Sequence, residues 1–330
     1  MSLTSTMLTR PVADTRVPTK KSVRKSRKKP KTARPVGAGE AVLGYVDAQL
    51  AQLRRLEPAV RGAEPDSVHR MRVAARRTRA ILQEFRPLFG GAEALEPVVA
   101  ELRWLGHELA AARDVEVLRD LLIAELDEVP VESVLGPVRA RVTGHYAPLL
   151  ADAERRVREI LDSARYRRLL AELAELVTSP PPGAQAALDA REVLPGMVAH
   201  SQRRVRRRMR TARQAVPGAE HDHALHEARK AAKRARYAAE AVAPVIARRP
   251  DRSAKALKRL QATLGEHHDS VIAADELRLL AIRVHAEGES AYTYGLLNAR
   301  QAERAERLAE RARHEWRRAD RRKRTAWMAA

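Results

Sequence analysis

The chain contains no cysteine. That absence excludes disulfides, cysteine-zinc sites and thiol nucleophiles, and it fits a cytosolic protein. Aromatic residues make up only 3% of the sequence, so a core must rest on Leu, Val, Ile and Ala, a mix that favours helices over sheets. No run of 18 apolar residues occurs, which leaves no candidate for a membrane span. The opening MSLTSTMLTRPVADTR lacks the apolar stretch of a secretory signal, and Pro11 and Pro18 argue against a transit peptide. No segment alternates like a half-buried strand, and there is no P-loop, HExxH or nucleophile elbow.

What the sequence has in excess is positive charge. Across 330 residues, 63 Lys+Arg stand against 42 Asp+Glu, a net charge of +21. Such a balance attracts polyanions: nucleic acid, an anionic membrane, or an inorganic phosphate polymer. Residues 1–37, centred on KKSVRKSRKKPKTARP, hold 11 Lys+Arg and one Asp, so about half of the net charge sits there. Self-repulsion, few apolar residues and several prolines make this a disordered basic arm, either a solubilising tail or an electrostatic tether.

Beyond the arm, apolar steps of three and four predict helices over 38–57, 66–86, 92–124, 131–162 and 165–177. After TSPPPG (178–183) they predict helices over 186–215, 220–243, 251–286 and 289–325. The expected organisation is an all-α chain with a first helical repeat over 38–177, a linker over 178–185 and a second repeat over 186–325. The run HEWRRADRRKRTAWMAA reads as the frayed end of the last helix, with Trp316 and Trp327 among arginines as a weaker hint of a membrane surface.

The two halves repeat each other. HRMRVAARRTR (69–79) matches HEARKAAKRAR (226–236) at an offset of 157, down to the terminating Pro87 and Pro244. LRWLGHELAAARD (102–114) matches LKRLQATLGEHHD (257–269) at an offset of 155, with Arg103 on Lys258, Arg113 on His268 and Asp114 on Asp269. Two blocks in one order at nearly one offset indicate a duplicated helical bundle.

In the first copy Val68, Met71, Ala75, Thr78, Leu82 and Phe85 form an apolar seam, while His69, Arg72, Arg76 and Arg79 form a basic stripe about 100° around the helix from it. The second copy pairs the seam Leu225, Ala228, Ala232, Ala235, Ala239 and Val242 with the stripe His226, Arg229, Lys233 and Arg236. Cations at such spacings repel, and an ordinary solvated face would interleave acids. Arginine forks suit phosphate oxygens, and a histidine in the row gains charge once an anion arrives. Arg103, Arg113, Lys258 and His268 fall on helices expected to pack beside the stripes. Gly106 and Gly265 mark kinks or close contacts there, and Asp114 and Asp269 either orient arginines or cap a turn. SQRRVRRRMR (201–210) either lines the second half of the site or is a plain exposed basic helix.

These segments carry a family resemblance. VHRMRVAARRTRAILQEFRPLF followed by ELRWLGHELAAARDVEVL, and ALHEARKAAKRARYAAE followed by LKRLQATLGEHHDSV, resemble the CHAD domain, the conserved histidine α-helical domain, over about residues 38–320. The resemblance implies two four-helix bundles related by a pseudo-twofold axis, with a basic cavity or groove between them that binds inorganic polyphosphate. It carries over His69, Arg72, Arg76 and Arg79, then His226, Arg229, Lys233 and Arg236, and beside them Arg103, Arg113, Lys258 and His268. Lys233 departs from Arg76 of the first copy, keeping the charge but not the fork. The ExExK motif of the triphosphate tunnel domain fused to some members is not found, so a stand-alone, non-enzymatic binder without a cofactor is expected, in the cytoplasm and on polyphosphate granules.

Two other classes stay open. A nucleic-acid-associated protein would use the arm on phosphate charge alone, although the scarcity of aromatics leaves few platforms for stacking bases. A metal enzyme would have to draw on HDHALHE (221–227) with His267 and His268.

Overall fold

The computed structural model describes residues 36–246 and 249–329, and every regular element among them is helical. The basic arm expected over 1–37 lies, up to residue 35, outside the described residues. One isolated bridge between Gly37 and Asp189 is the only β-type pairing described.

The first half comprises α1 (Ala38–Arg61), α2 (Ser67–Glu84), α3 (Gly91–Asp127), α4 (Val138–Asp162) and α5 (Ala164–Thr178). The second comprises α6 (Ala190–Gln214), α7 (Ala219–Ile246), α8 (Arg249–Ala286), α9 (Tyr292–Ala319) and the short α10 (Arg322–Thr325). In each half successive helices pack as antiparallel neighbours, α1 on α2 on α3 on α4, and α6 on α7 on α8 on α9. The halves meet where α2 packs on α7, a pseudo-twofold arrangement.

The alanine-rich seam explains why α7 is central. Leu225, Ala228, Ala232, Ala235, Ala239 and Val242 are all buried, and their small side chains let α6, α8, α2 and α1 approach. One apolar core runs through both halves, joining Met71, Ile81 and Phe85 to Tyr237, Ala238 and Val242. At 37 and 38 residues, α3 and α8 outrun their neighbours. Their far ends join α4 and α9 in a separate cluster of Leu122, Val142, Leu277 and Leu297. There Thr293 Oγ1 accepts from the Leu135 amide at 2.8 Å, and Arg304 pairs with Glu125.

The connection between the halves is tied down. Ala38 N donates to Leu188 O at 2.8 Å and Ala190 N to Val36 O at 3.0 Å. Gly183 lies so close to the end of α2 that a Cβ there would stand 2.2 Å from the Leu88 carbonyl carbon, a place no side chain fits.

The structure departs from the sequence expectation at three ends. Residues 131–162 are not one helix: α4 starts only at Val138, because Gly136 at φ +86° and Pro137 reset the chain. Pro87 does follow the end of α2, but Pro244 lies inside the last turn of α7. The helix expected over 289–325 ends at Ala319, with the short α10 after it, and the C-terminal run is docked rather than frayed. Trp327 and Met328 are buried in the main core, and Trp327 Nε1 donates to Ser253 Oγ at 2.9 Å. No helix among the described residues is long and apolar enough to cross a membrane.

Candidate functional site

Because α2 and α7 pack against each other, their basic stripes converge from opposite halves of the chain. Arg72 and Arg76 of α2 face Arg229 and Lys233 of α7 closely enough to act on one another's charge, with Asp114 of α3 and Asp269 of α8 as counter-charges. Arg72 Nη1 donates to Asp114 Oδ1 at 2.9 Å. Asp269 is the foremost counter-charge on Arg229. Both acids sit within long helices and cap no turn; Asp114 holds Arg72, while Asp269 acts on Arg229 through charge without a hydrogen bond among the described residues.

The cluster holds more positive charge than its carboxylates neutralise, and burial raises the cost of that charge. Burial, then Arg229, Arg76 and Arg72, push the Lys233 ammonium down to about 6, against the pull of Asp269. Burial also holds the Arg229 guanidinium below its ordinary range. It lifts the Asp269 carboxyl, although Arg229 and Lys233 oppose it. The Arg229 guanidinium lies against α8 at Gly265, where a Cβ would stand 3.5 Å from its Nη2, an ordinary contact that would not crowd it.

The outer ends of the stripes repeat each other in space as in sequence. Arg113 of α3 acts on His69, and His268 of α8 packs on His226 with ring centroids 4.2 Å apart. Burial first, and then neighbouring cations, lower the pKa of all three histidines, that of His268 to about 4. Nδ1 of His69 and Nδ1 of His226 are both buried without a hydrogen-bond partner among the described residues. A neutral imidazole in this setting can take up a proton if a negative charge is placed beside it.

The inner ends differ. Arg79 remains half-buried, with Arg234, Arg103 and Arg76 as the charges acting on it. Arg103 is exposed and pairs with Glu96 at 3.3 Å. Arg236, the sequence counterpart of Arg79 in α7, is only 7% exposed; it pairs with Glu240 at 3.4 Å and lies over the Tyr237 ring at 4.6 Å. Lys258 is exposed on α8 and is not among the foremost charges acting on Arg229, Lys233 or His268.

Sequence reasoning left Arg77, Arg234, Tyr237 and Glu240 out of the site. Arg77 and Arg234 were visible as a matched pair at the 157 offset. The run 201–210 lies in α6, and three of its six arginines face acids: Arg204 meets Glu84 at 3.4 Å, Arg206 meets Asp320 at 2.7 Å and Arg208 meets Glu227 at 3.8 Å. The histidines of 221–227 do not assemble a metal centre with His267. That ring faces Asp222 at 3.3 Å, and no group of three or more His, Asp or Glu among the described residues is placed to hold an ion.

The chain has relatives among known proteins and solved structures. Two uncharacterized proteins of Mycobacterium tuberculosis, one from strain CDC 1551 and one from strain H37Rv, are each 37% identical over 279 residues, covering 84% of this chain and 52% of theirs. The chain thus spans about half the length of these curated relatives. PptA from Streptomyces chartreusis superposes with a TM-score of 0.65 at 23% identity, covering 86% of this chain and 99% of that one, which speaks for the fold alone. The CHAD domain from the plant Ricinus communis superposes with a TM-score of 0.64 at 28% identity, covering 86% of this chain and 92% of its own. The family model of the CHAD domain matches residues 44–278, a stretch that takes in both basic stripes and both flanking blocks. The duplicated sequence, the paired helices and this match lead to one conclusion: the chain belongs to the CHAD domain family.

Proposed function

We propose that the chain binds inorganic polyphosphate, without catalysing its turnover, at the cluster where α2 and α7 meet. The observation that carries this reading is the convergence of Arg72, Arg76, Arg229 and Lys233 from two repeats onto one place with too few carboxylates to neutralise them. The CHAD family is linked to polyphosphate in general. A phosphate chain offers closely spaced charges and no bases, so cations suffice and aromatic platforms are not needed. Location on polyphosphate granules would follow from such binding.

A second reading rests on the 11 basic residues of the arm, which suit a nucleic-acid backbone. Competition separates the two. Long-chain polyphosphate is expected to displace labelled duplex DNA from the full chain at equal phosphate concentration and moderate salt. If duplex DNA instead displaces polyphosphate, the nucleic-acid reading takes its place.

A further inference from the structure

The two halves repeat the central cluster, but they do not repeat what lies beyond it. Where the end of α2 meets α6 and α7 there is a cavity of about 720 Å³. Arg86, Arg203, Arg204, Arg234 and His200 line it, with Glu84 and Glu192 as the acids. Glu84 is taken up by Arg204 at 3.4 Å, which leaves Arg86, Arg203 and Arg234 on the wall in excess of Glu192. The cavity adjoins the central cluster: after burial, Arg234 is the foremost influence on Arg79, and Arg76 acts on the same guanidinium.

The corresponding place in the other half is filled. At the 157 offset Arg234 corresponds to Arg77, Arg79 to Arg236 and Ala80 to Tyr237. The buried rows Ala38, Val42, Val46 of α1 and Ala190, Leu194, Val198 of α6 align at an offset of 152, which sets Tyr45 opposite Met197. Glu240 holds both arginines there, Arg77 at 3.3 Å and Arg236 at 3.4 Å. Tyr237 is fully buried beneath them, and its hydroxyl accepts from Arg76 Nε at 3.4 Å. Tyr45 comes close enough to Arg77, Glu240 and Tyr237 to feel their charge. A ring in place of a methyl group, a second ring and one shared carboxylate close that end and neutralise its cations.

We propose that the anion site is open at one end only. A phosphate chain held at the central cluster continues past Arg79 into the cavity of Arg203 and Arg234, while Tyr45, Tyr237 and Glu240 stop it on the other side. This rests on the reading of the central cluster as a polyphosphate site. It makes the cavity a length-dependent subsite: tripolyphosphate is held by the central cations, and only a longer chain reaches the second group.

The test uses full-length variants and two probes, tripolyphosphate and long-chain polyphosphate. Arg203 and Arg234 are both exposed, so Arg203→Ala/Arg234→Ala should fold as the parent does, checked by its thermal midpoint. Arg207→Ala/Arg210→Ala removes the same charge from α6 outside the cavity. The cavity variant is expected to lose about tenfold in affinity for the long chain and less than about twofold for tripolyphosphate, with little change for the control pair. Equal losses on both probes, or a loss on the long chain no larger than the control's, would overturn the one-ended site. A parallel Arg72→Ala/Arg229→Ala variant keeps the two questions apart. If it binds tripolyphosphate like the parent, the central reading itself fails, whatever the cavity does.

Discussion

Replacing Arg72, Arg76, Arg229 and Lys233 together by Ala is expected to lower affinity for long-chain polyphosphate by about 100-fold or more while helix content stays unchanged. A charge-assisted hydrogen bond contributes about 1.5–3 kcal/mol, and about 1.4 kcal/mol is a factor of ten, so the loss of two such contacts already reaches that size. The fold should tolerate the change because these side chains repel one another in the free protein. Burial and mutual repulsion depress both Lys233 and Arg229, so their removal relieves strain at the α2–α7 contact. Titration with defined-length polyphosphate, alongside far-ultraviolet circular dichroism, checks both halves of the expectation. A variant that lost helix and affinity together would show these residues to be structural.

Lys233→Met is expected to stabilise the free protein by about 1–3 kcal/mol while weakening binding about tenfold near pH 6, an exchange of stability for function at one residue. The lysine titrates at about 6 in the fold and at 10.5 as an unperturbed side chain. Between those values the folded chain binds fewer protons than the unfolded one, so this residue's effect on stability improves as pH rises through that window. It is worst below pH 6, where the ammonium is charged in both states. Binding has the opposite slope. A phosphate chain favours the ammonium form, so the complex takes up a proton above pH 6, and affinity falls by up to about tenfold per pH unit from there upward. Below pH 6 Lys233 contributes no further slope, and the depressed histidines, His268 at about 4 among them, continue the trend toward acid. Calorimetry at pH 7.5 in two buffers of different protonation enthalpy should show proton uptake in the parent and less of it in Lys233→Met. Identical uptake in both would place the titrating group elsewhere.

The helices and the basic stripes were legible because duplication shows a pattern twice. One histidine and three basic residues kept at the same steps on α2 and α7, with two flanking blocks in register, mark positions that a single amphipathic helix leaves ambiguous. The fate of each position was less legible, because it depends on neighbours about 160 residues away. Arg79 and Arg236 are equivalent in the sequence, yet the change from Ala80 to Tyr237 brings a ring beside one and not the other, and Glu240 completes its burial. Asp114 read equally as a cap or as a partner for arginine until the full length of α3 removed the turn it would have capped. The C-terminal run, with its dense arginines, gave no sign that Trp327 would dock on Ser253, since the receiving surface is assembled from other helices. Lys258 follows the same logic in reverse: it matches Arg103 in sequence, yet Arg103 acts on Arg79 while Lys258 stands exposed on α8.

The central claim is that a built site, rather than the sum of charge, recognises phosphate, and one comparison tests it most directly. Two full-length variants each lose four basic residues: Arg72, Arg76, Arg229 and Lys233 in one, and Lys20, Lys21, Arg24 and Lys25 of the arm in the other. Their affinities for the same defined-length polyphosphate are measured at the same salt. The account predicts that the first variant binds at least about tenfold more weakly than the second. Equal losses would contradict it and reduce the protein to a general polycation.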